Sequence, residues 1–173
     1  NSSQVYLERI EPDDAVTAYA AEISLSVNRD TIQFLDQLSR RLYSDYKHVV
    51  RDTGHPQSPA QTLELKSGAC RDLTVLFVDC CRAEGLAARF ASGYQRGNLQ
   101  SDRRHLHAWP EVYLPGAGWR GFDPTHGLAI TDTHVTVAAA ANPQETMSVI
   151  GIFNGTGASS SLNHSLSIDV SEE

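Results

Sequence analysis

The chain has 173 residues, about one domain's worth, and its 40% hydrophobic and 20% charged residues are those of an ordinary globular protein rather than a disordered one. A formal net charge of −7, with no basic run longer than a pair such as Arg103-Arg104, excludes the cationic footprint that nucleic acid or an anionic membrane requires. No stretch approaches the roughly 18 apolar residues of a membrane span. The three cysteines, Cys70, Cys80 and Cys81, are odd in number and two are adjacent, which is a poor disulfide framework. With no leader pattern at the start, this reads as a reducing, cytoplasmic setting. The opening Asn1-Ser2-Ser3, without methionine, reads as a single domain (residues 1–173) excised from a longer protein.

In chain order, Asp13-Asp14 supply an acidic first turn for a short helix over Ala15–Ile23. Asp30 is placed to cap a second helix, Thr31–Tyr43, whose Phe34, Leu35, Leu38 and Leu42 recur at helical spacing and form one buried face. Tyr46–Val50 reads as a short strand, Asp52–Pro59 as a loop, and Thr62–Lys66 as a brief helical turn. Cys70–Glu84 follows as a largely apolar helix with Leu73, Leu76, Phe77, Cys80 and Cys81 on its core stripe and Gly85 at the stop position. A helix with so few solvent-facing residues is the expected centre of the fold.

Strands then take over: Ala87–Tyr94, His105–Leu114, Trp119–Phe122, His134–Ala138, Ser148–Phe153 and Ser165–Val170. Residues 154–161 read as a flexible Gly/Ser loop. Helices first and antiparallel strands second give an α+β fold.

Three positions carry chemistry. Cys70 follows small residues and opens the central helix, where unpaired N–H groups and the macrodipole favour a thiolate. Cys80 and Cys81, mid-helix on the core stripe, have the pattern of inert buried thiols. His107 lies on a strand that alternates, sharing one face with Trp109, Glu111 and Tyr113. Asp123 ends the next strand, and its orientation depends on the hairpin loop. A four-residue loop pairs Leu114 with Trp119 and puts Asp123 on the face away from His107. A five-residue register pairs Tyr113 with Trp119 and puts Asp123 one diagonal step from His107. In that second case nucleophile, base and orienting carboxylate are complete. His105 and His107, two apart, also raise a zinc site, but no further Cys/His pair stands at structural-zinc spacing.

These segments resemble those of the bacterial transglutaminase-like (cysteine protease) proteins of the transglutaminase core superfamily. Ser67-Gly68-Ala69-Cys70-Arg71-Asp72 is similar to the family's Gly-x-Cys-x-Asp segment, and His107-Ala108-Trp109-Pro110-Glu111-Val112-Tyr113 to its His-Ala-Trp-x-Glu-Val strand. Gly118-Trp119-Arg120-Gly121-Phe122-Asp123-Pro124-Thr125 is similar to its Gly-Trp-x-x-Phe-Asp-Pro-Thr strand. The resemblance implies a papain-like α+β core with Cys70 as nucleophile, His107 as base and Asp123 as orienter. It also implies that a β-rich N-terminal region is missing from this chain. No tryptophan precedes Cys70, so the oxyanion contact made by an upstream tryptophan in animal transglutaminases is unassigned, and the Cys70 backbone N–H is a candidate donor.

The expectation is therefore amide acyl transfer through a thioester, with hydrolysis of a peptide or protein substrate favoured over cross-linking to an amine. No cofactor and no required metal are expected. A noncatalytic binding module on the same fold is the rival from another class. Asp102, Arg103 or Arg104, in the polar loop before the His107 strand, is expected to touch substrate.

Overall fold

The computed structural model of the chain describes residues 4–51, 54–96 and 106–147, together with Gly157 and Ser161. After a 3₁₀ turn at Gln4–Tyr6, helix α1 spans Asp14–Ser26 and helix α2 spans Thr31–Asp45. Each begins where an aspartate can satisfy unpaired N–H groups. Asp13 accepts from Ala15 and Val16 at 2.9 and 3.1 Å, and Asp30 accepts from Gln33 at 2.9 Å. Strand β1 (Lys47–His48) is shorter than the five residues expected.

Helix α3 (Pro59–Leu65) begins three residues before the expected turn. A capping box at its start extends it: Gln61 N–H donates to Ser58 Oγ, and Ser58 N–H donates to Gln61 Oε1, both at 3.2 Å. Pro59 sits at the first helical position, where its missing N–H costs nothing. Lys66, left-handed at φ 48°, ends the helix, and β2 (Ser67–Gly68) pairs in parallel with β1.

Helix α4 (Cys70–Ala83) is the centre of the molecule. Its Leu73, Leu76, Phe77, Cys80 and Cys81 are all buried, as their spacing requires. One side meets the core residues of α1 and α2, among them Val16, Ile23, Leu35, Leu38 and Leu42. The other side meets the sheet, where Phe77 stacks on Phe122 at 5.7 Å and Val112 is fully buried. This sandwiching explains why the helix lacks a wide polar face. Fully burying each large apolar side chain contributes about 1.5–3 kcal/mol.

Near the far end of α4, buried Arg82 donates to the carbonyls of Glu8 (2.8 Å), Ala88 (2.9 Å) and Ala141 (2.7 Å). It thereby ties both flanks of the chain to the helix. Gly85, at φ +75°, supplies the left-handed stop.

Five antiparallel strands make the sheet: β3 (Ala88–Gln95), β4 (His107–Leu114), β5 (Gly118–Asp123), β6 (Leu128–Ala129) and β7 (His134–Ala140), in the order β6-β5-β4-β3-β7. Tyr113 pairs with Trp119 and Leu114 with Gly118. Of the two registers left open by the sequence, this is the one that turns Asp123 toward the His107 face. The loop is tighter than five residues because Leu114 and Gly118 themselves pair, with Gly116 and Gly118 at φ +81° and +76°. The expected strands at 148–153 and 165–170, the glycine/serine segment as a whole, and residues 98–105 lie outside the described residues.

Candidate active site

The first residue of α4 is Cys70, and a buried carboxylate holds the approach to it. Asp72 Oδ2 accepts from Ala69 N–H at 2.8 Å, while Oδ1 accepts from Gln57 N–H at 2.8 Å and from Arg51 Nη2 at 2.5 Å. The helix start is thus locked to Arg51 and Gln57. Gly68 is required beneath it, because a Cβ there would lie 2.8 Å from Asp72 Cβ. Cys70 remains partly exposed, whereas Cys80 and Cys81 are fully buried. Burial pushes the thiols of Cys80 and Cys81 well above their ordinary range and keeps them neutral.

His107 is the first residue of β4 and Asp123 the last of β5. His107 Nε2 lies 2.9 Å from Asp123 Oδ2, and both side chains are buried. The Cys70 thiol is hydrogen-bonded to the His107 side chain. With Nε2 held by the carboxylate, Nδ1 is the nitrogen left for the sulfur. The structure therefore brings Cys70, His107 and Asp123 together in that order.

Electrostatics favour charge separation. Burial opposes the Cys70 thiolate, but the His107 hydrogen bond and charge, with the backbone N–H groups of Ala108 and Arg71, outweigh it and lower the thiol pKa. Burial likewise opposes the His107 imidazolium, but Asp123 and Cys70 raise it to about 9. Burial pushes Asp123 up, and hydrogen bonds from His107, His126 and His134 overcome this and hold it far below the carboxylate range. Cys70 and His107 titrate as a coupled pair in which both shifts point toward thiolate–imidazolium.

Two of these histidines were not singled out by the sequence reading. His126 Nδ1 lies 2.8 Å and His134 Nε2 3.1 Å from Asp123 Oδ2, the oxygen that also receives His107. Thr125 N–H donates to the other oxygen, Oδ1, at 2.9 Å. His126 was within reach of sequence reasoning, since it follows Asp123 by three residues in a turn. His134 was not, because its direction depends on a bulge. Ser92 pairs with Ala138 but Gly93 with Thr136, so Val137 is the extra residue. That slip turns His134 and Thr136 onto the face of His107 and Trp109.

The bulge needs glycine at 93: a Cβ would lie 2.0 Å from the Val135 carbonyl oxygen and 2.8 Å from Trp109 Cη2. Trp109, fully buried, sets its indole edge-on to His134 at 4.9 Å and supports the cluster from below. On β1, partial burial of the His48 ring, together with His107 and His126, lowers its pKa. His107, Asp123 and His134 each offer one ligand atom, all within 4.8 Å of one another, and are the described residues placed to hold a metal ion. His105, the other half of the zinc pair considered from the sequence, lies outside the described residues.

Among the described residues, no helix is long and apolar enough to cross a membrane. The chain is 28% identical over 170 residues to the Mycobacterium tuberculosis protein Rv2569c, an alignment covering 92% of this chain and 53% of that one. It thus spans about half the length of the curated relatives it matches. A shorter match, 34% identical over 73 residues, covers 38% of this chain and 11% of a Pseudomonas aeruginosa protein-glutamine gamma-glutamyltransferase. The crystal structure named as a putative cysteine protease from Cytophaga hutchinsonii superposes with a TM-score of 0.69 at 21% identity, covering 84% of this chain and 49% of that one. That likeness shows a shared α+β fold with the helix-on-sheet layout described above. The family model for the transglutaminase-like superfamily matches residues 17–124, more than half the chain and from α1 through Asp123, so the chain belongs to the transglutaminase-like superfamily.

Proposed function

We propose that the protein is a cysteine-dependent acyl transferase acting on amides of peptides or proteins, with water as the acceptor. The observation that carries this reading is the aligned Cys70–His107–Asp123 set, whose charges favour a thiolate on a partly exposed sulfur. The Cys70 thiolate attacks the amide carbonyl carbon. The C–N bond then breaks as the His107 imidazolium gives its Nδ1 proton to the leaving amine, and a thioester remains on Cys70. The neutral imidazole next takes a proton from water while the oxygen attacks the thioester. The acid departs and the thiolate returns.

Asp123 holds the ring through Nε2 and balances its charge in both halves. Acid–base assistance of this kind supplies roughly 10²–10⁴-fold, and backbone N–H donors at the start of α4, that of Cys70 among them, suit the developing oxyanion. Water is favoured as acceptor because Cys70 is open to solvent and the neighbouring His126 side chain is 45% exposed.

The test is product analysis after incubation with a peptide library, with and without a millimolar primary amine. New carboxylates should form in both cases and disappear with Cys70→Ala. Amine adducts as the main product would make the protein a transferase to amines. Turnover that survives Cys70→Ala would remove Cys70 as the nucleophile, and a folded wild type that forms no product and alkylates no faster at Cys70 than at Cys80 and Cys81 would leave the noncatalytic reading standing.

A further inference from the structure

We propose that His107, Asp123 and His134 form an inhibitory site for a zinc-like divalent transition ion, bound on the side of the His107 ring away from Cys70. Three features of the side chains point to it. First, the donor set is two imidazole nitrogens and one carboxylate oxygen, the mixture that suits zinc and its first-row neighbours rather than calcium or magnesium. Second, the spacing is close to what an ion needs. Metal–ligand distances of roughly 2.0–2.1 Å in a tetrahedron put ligand atoms about 3.3 Å apart. Asp123 Oδ2 already lies 2.9 Å from His107 Nε2 and 3.1 Å from His134 Nε2, so these two edges need only open slightly, and the edge between the two imidazoles, within 4.8 Å, closes by a small ring movement.

Third, two of the three ligands are oriented by a contact at the other polar atom, as bound ligands usually are. Thr125 N–H holds Asp123 Oδ1, and the Thr133 hydroxyl lies 2.9 Å from His134 Nδ1, where it can accept that N–H and leave Nε2 with its lone pair. His126 covers the carboxylate with a half-exposed ring, so a rotation of that one side chain opens a path from solvent.

The consequence for activity rests on the proposed function; the binding itself does not. An ion at Nε2 displaces one proton from that nitrogen of the imidazolium to solvent and leaves the other on Nδ1. The ring is then neutral, so the thiolate loses the imidazolium charge that favours it, the remaining Nδ1 proton could leave only by forming an imidazolate, and Asp123 is drawn to the ion instead of the ring. Binding therefore switches the Cys70–His107 pair off without touching the sulfur.

The experiment is calorimetric titration of the purified chain with Zn²⁺, repeated with Mg²⁺, and the absorption spectrum of the chain loaded with Co²⁺. One zinc per chain should bind, magnesium should not, and Cys70→Ala should leave the affinity within about threefold. His134→Ala should weaken binding by at least about tenfold. Because that variant can perturb β7, the wild-type cobalt spectrum stands as an independent check: tetrahedral d–d bands with no thiolate charge-transfer band. No stoichiometric zinc binding, loss of binding in Cys70→Ala, or a thiolate band would each overturn the proposal. None of these readouts uses turnover, so they fail independently of the acyl-transfer reading.

Discussion

Asp123→Asn keeps the size of the side chain and removes the charge on which three imidazoles converge. Raising His107 from 6.5 to about 9 corresponds to about 3 kcal/mol in favour of the imidazolium, shared between Asp123 and Cys70 and already net of burial. Burial stays in the variant while the larger of the two supports is lost, so His107 should fall back toward or below its ordinary value. The thiolate loses its charged partner as a result, and the Cys70 pKa should rise.

The assay is the rate of iodoacetamide alkylation at Cys70 as a function of pH, resolved from Cys80 and Cys81 by peptide mass. In the wild type the thiolate limb should lie below the ordinary thiol range, and in Asp123→Asn it should move up, because the thiolate loses its charged partner. Where turnover is followed, the alkaline limb should move down from about 9, and the rate should fall roughly 10³–10⁴-fold with little change in KM. Superimposable alkylation profiles for the two proteins would refute the reasoning and return Asp123 to the role of a turn residue before Pro124.

Asp72→Ala leaves the N–H groups of Ala69 and Gln57 and the Arg51 guanidinium without their acceptor. It should destabilise the fold by about 2–4 kcal/mol, read as a Tm roughly 6–12 °C lower by calorimetry. Gly93→Ala forces a Cβ against the Val135 carbonyl and Trp109. It should cost about 1–3 kcal/mol and release His134 from Asp123, visible as altered His134 ring resonances by NMR.

The charge pair also links stability to pH. Depressed Asp123 contributes stability that is full above about pH 4 and lost as pH falls below it, and raised His107 contributes stability that is full below about pH 6.5 and lost as pH climbs toward about 9. The Tm difference between wild type and Asp123→Asn should therefore be largest between about pH 4 and 6.5 and shrink on both sides. A difference that stayed constant from pH 3 to about 10 would mean that the pair is not charged as described.

Local rules were enough to locate α4 and to bring its first residue to the site. A cysteine at a helix start, a core stripe at helical spacing and a stop glycine are all nearest-neighbour signals. The His107–Asp123 contact was half legible. Strand parity reduced it to two registers, and the pairing of Leu114 with Gly118 chose between them. His134 was hidden for a definite reason. Its face is set by an extra residue at Val137, and that bulge exists because Gly93 admits the Val135 carbonyl at a distance no side chain would allow. The lock made by Asp72 was similarly invisible, since it joins backbone and side-chain donors 15 and 21 residues away. The capping box that lengthens α3 could have been read from Ser58-Pro59-Ala60-Gln61 alone.

The most direct test of Cys70 as the nucleophile is mass spectrometry of acid-quenched protein after brief exposure to activated peptide esters. A hydroxylamine-sensitive acyl adduct should appear on the peptide carrying Cys70, should be absent from the one carrying Cys80 and Cys81, and should not form in Cys70→Ala. An adduct on another residue, or none at a wild-type thiol that still alkylates rapidly, would mean that no thioester forms on Cys70.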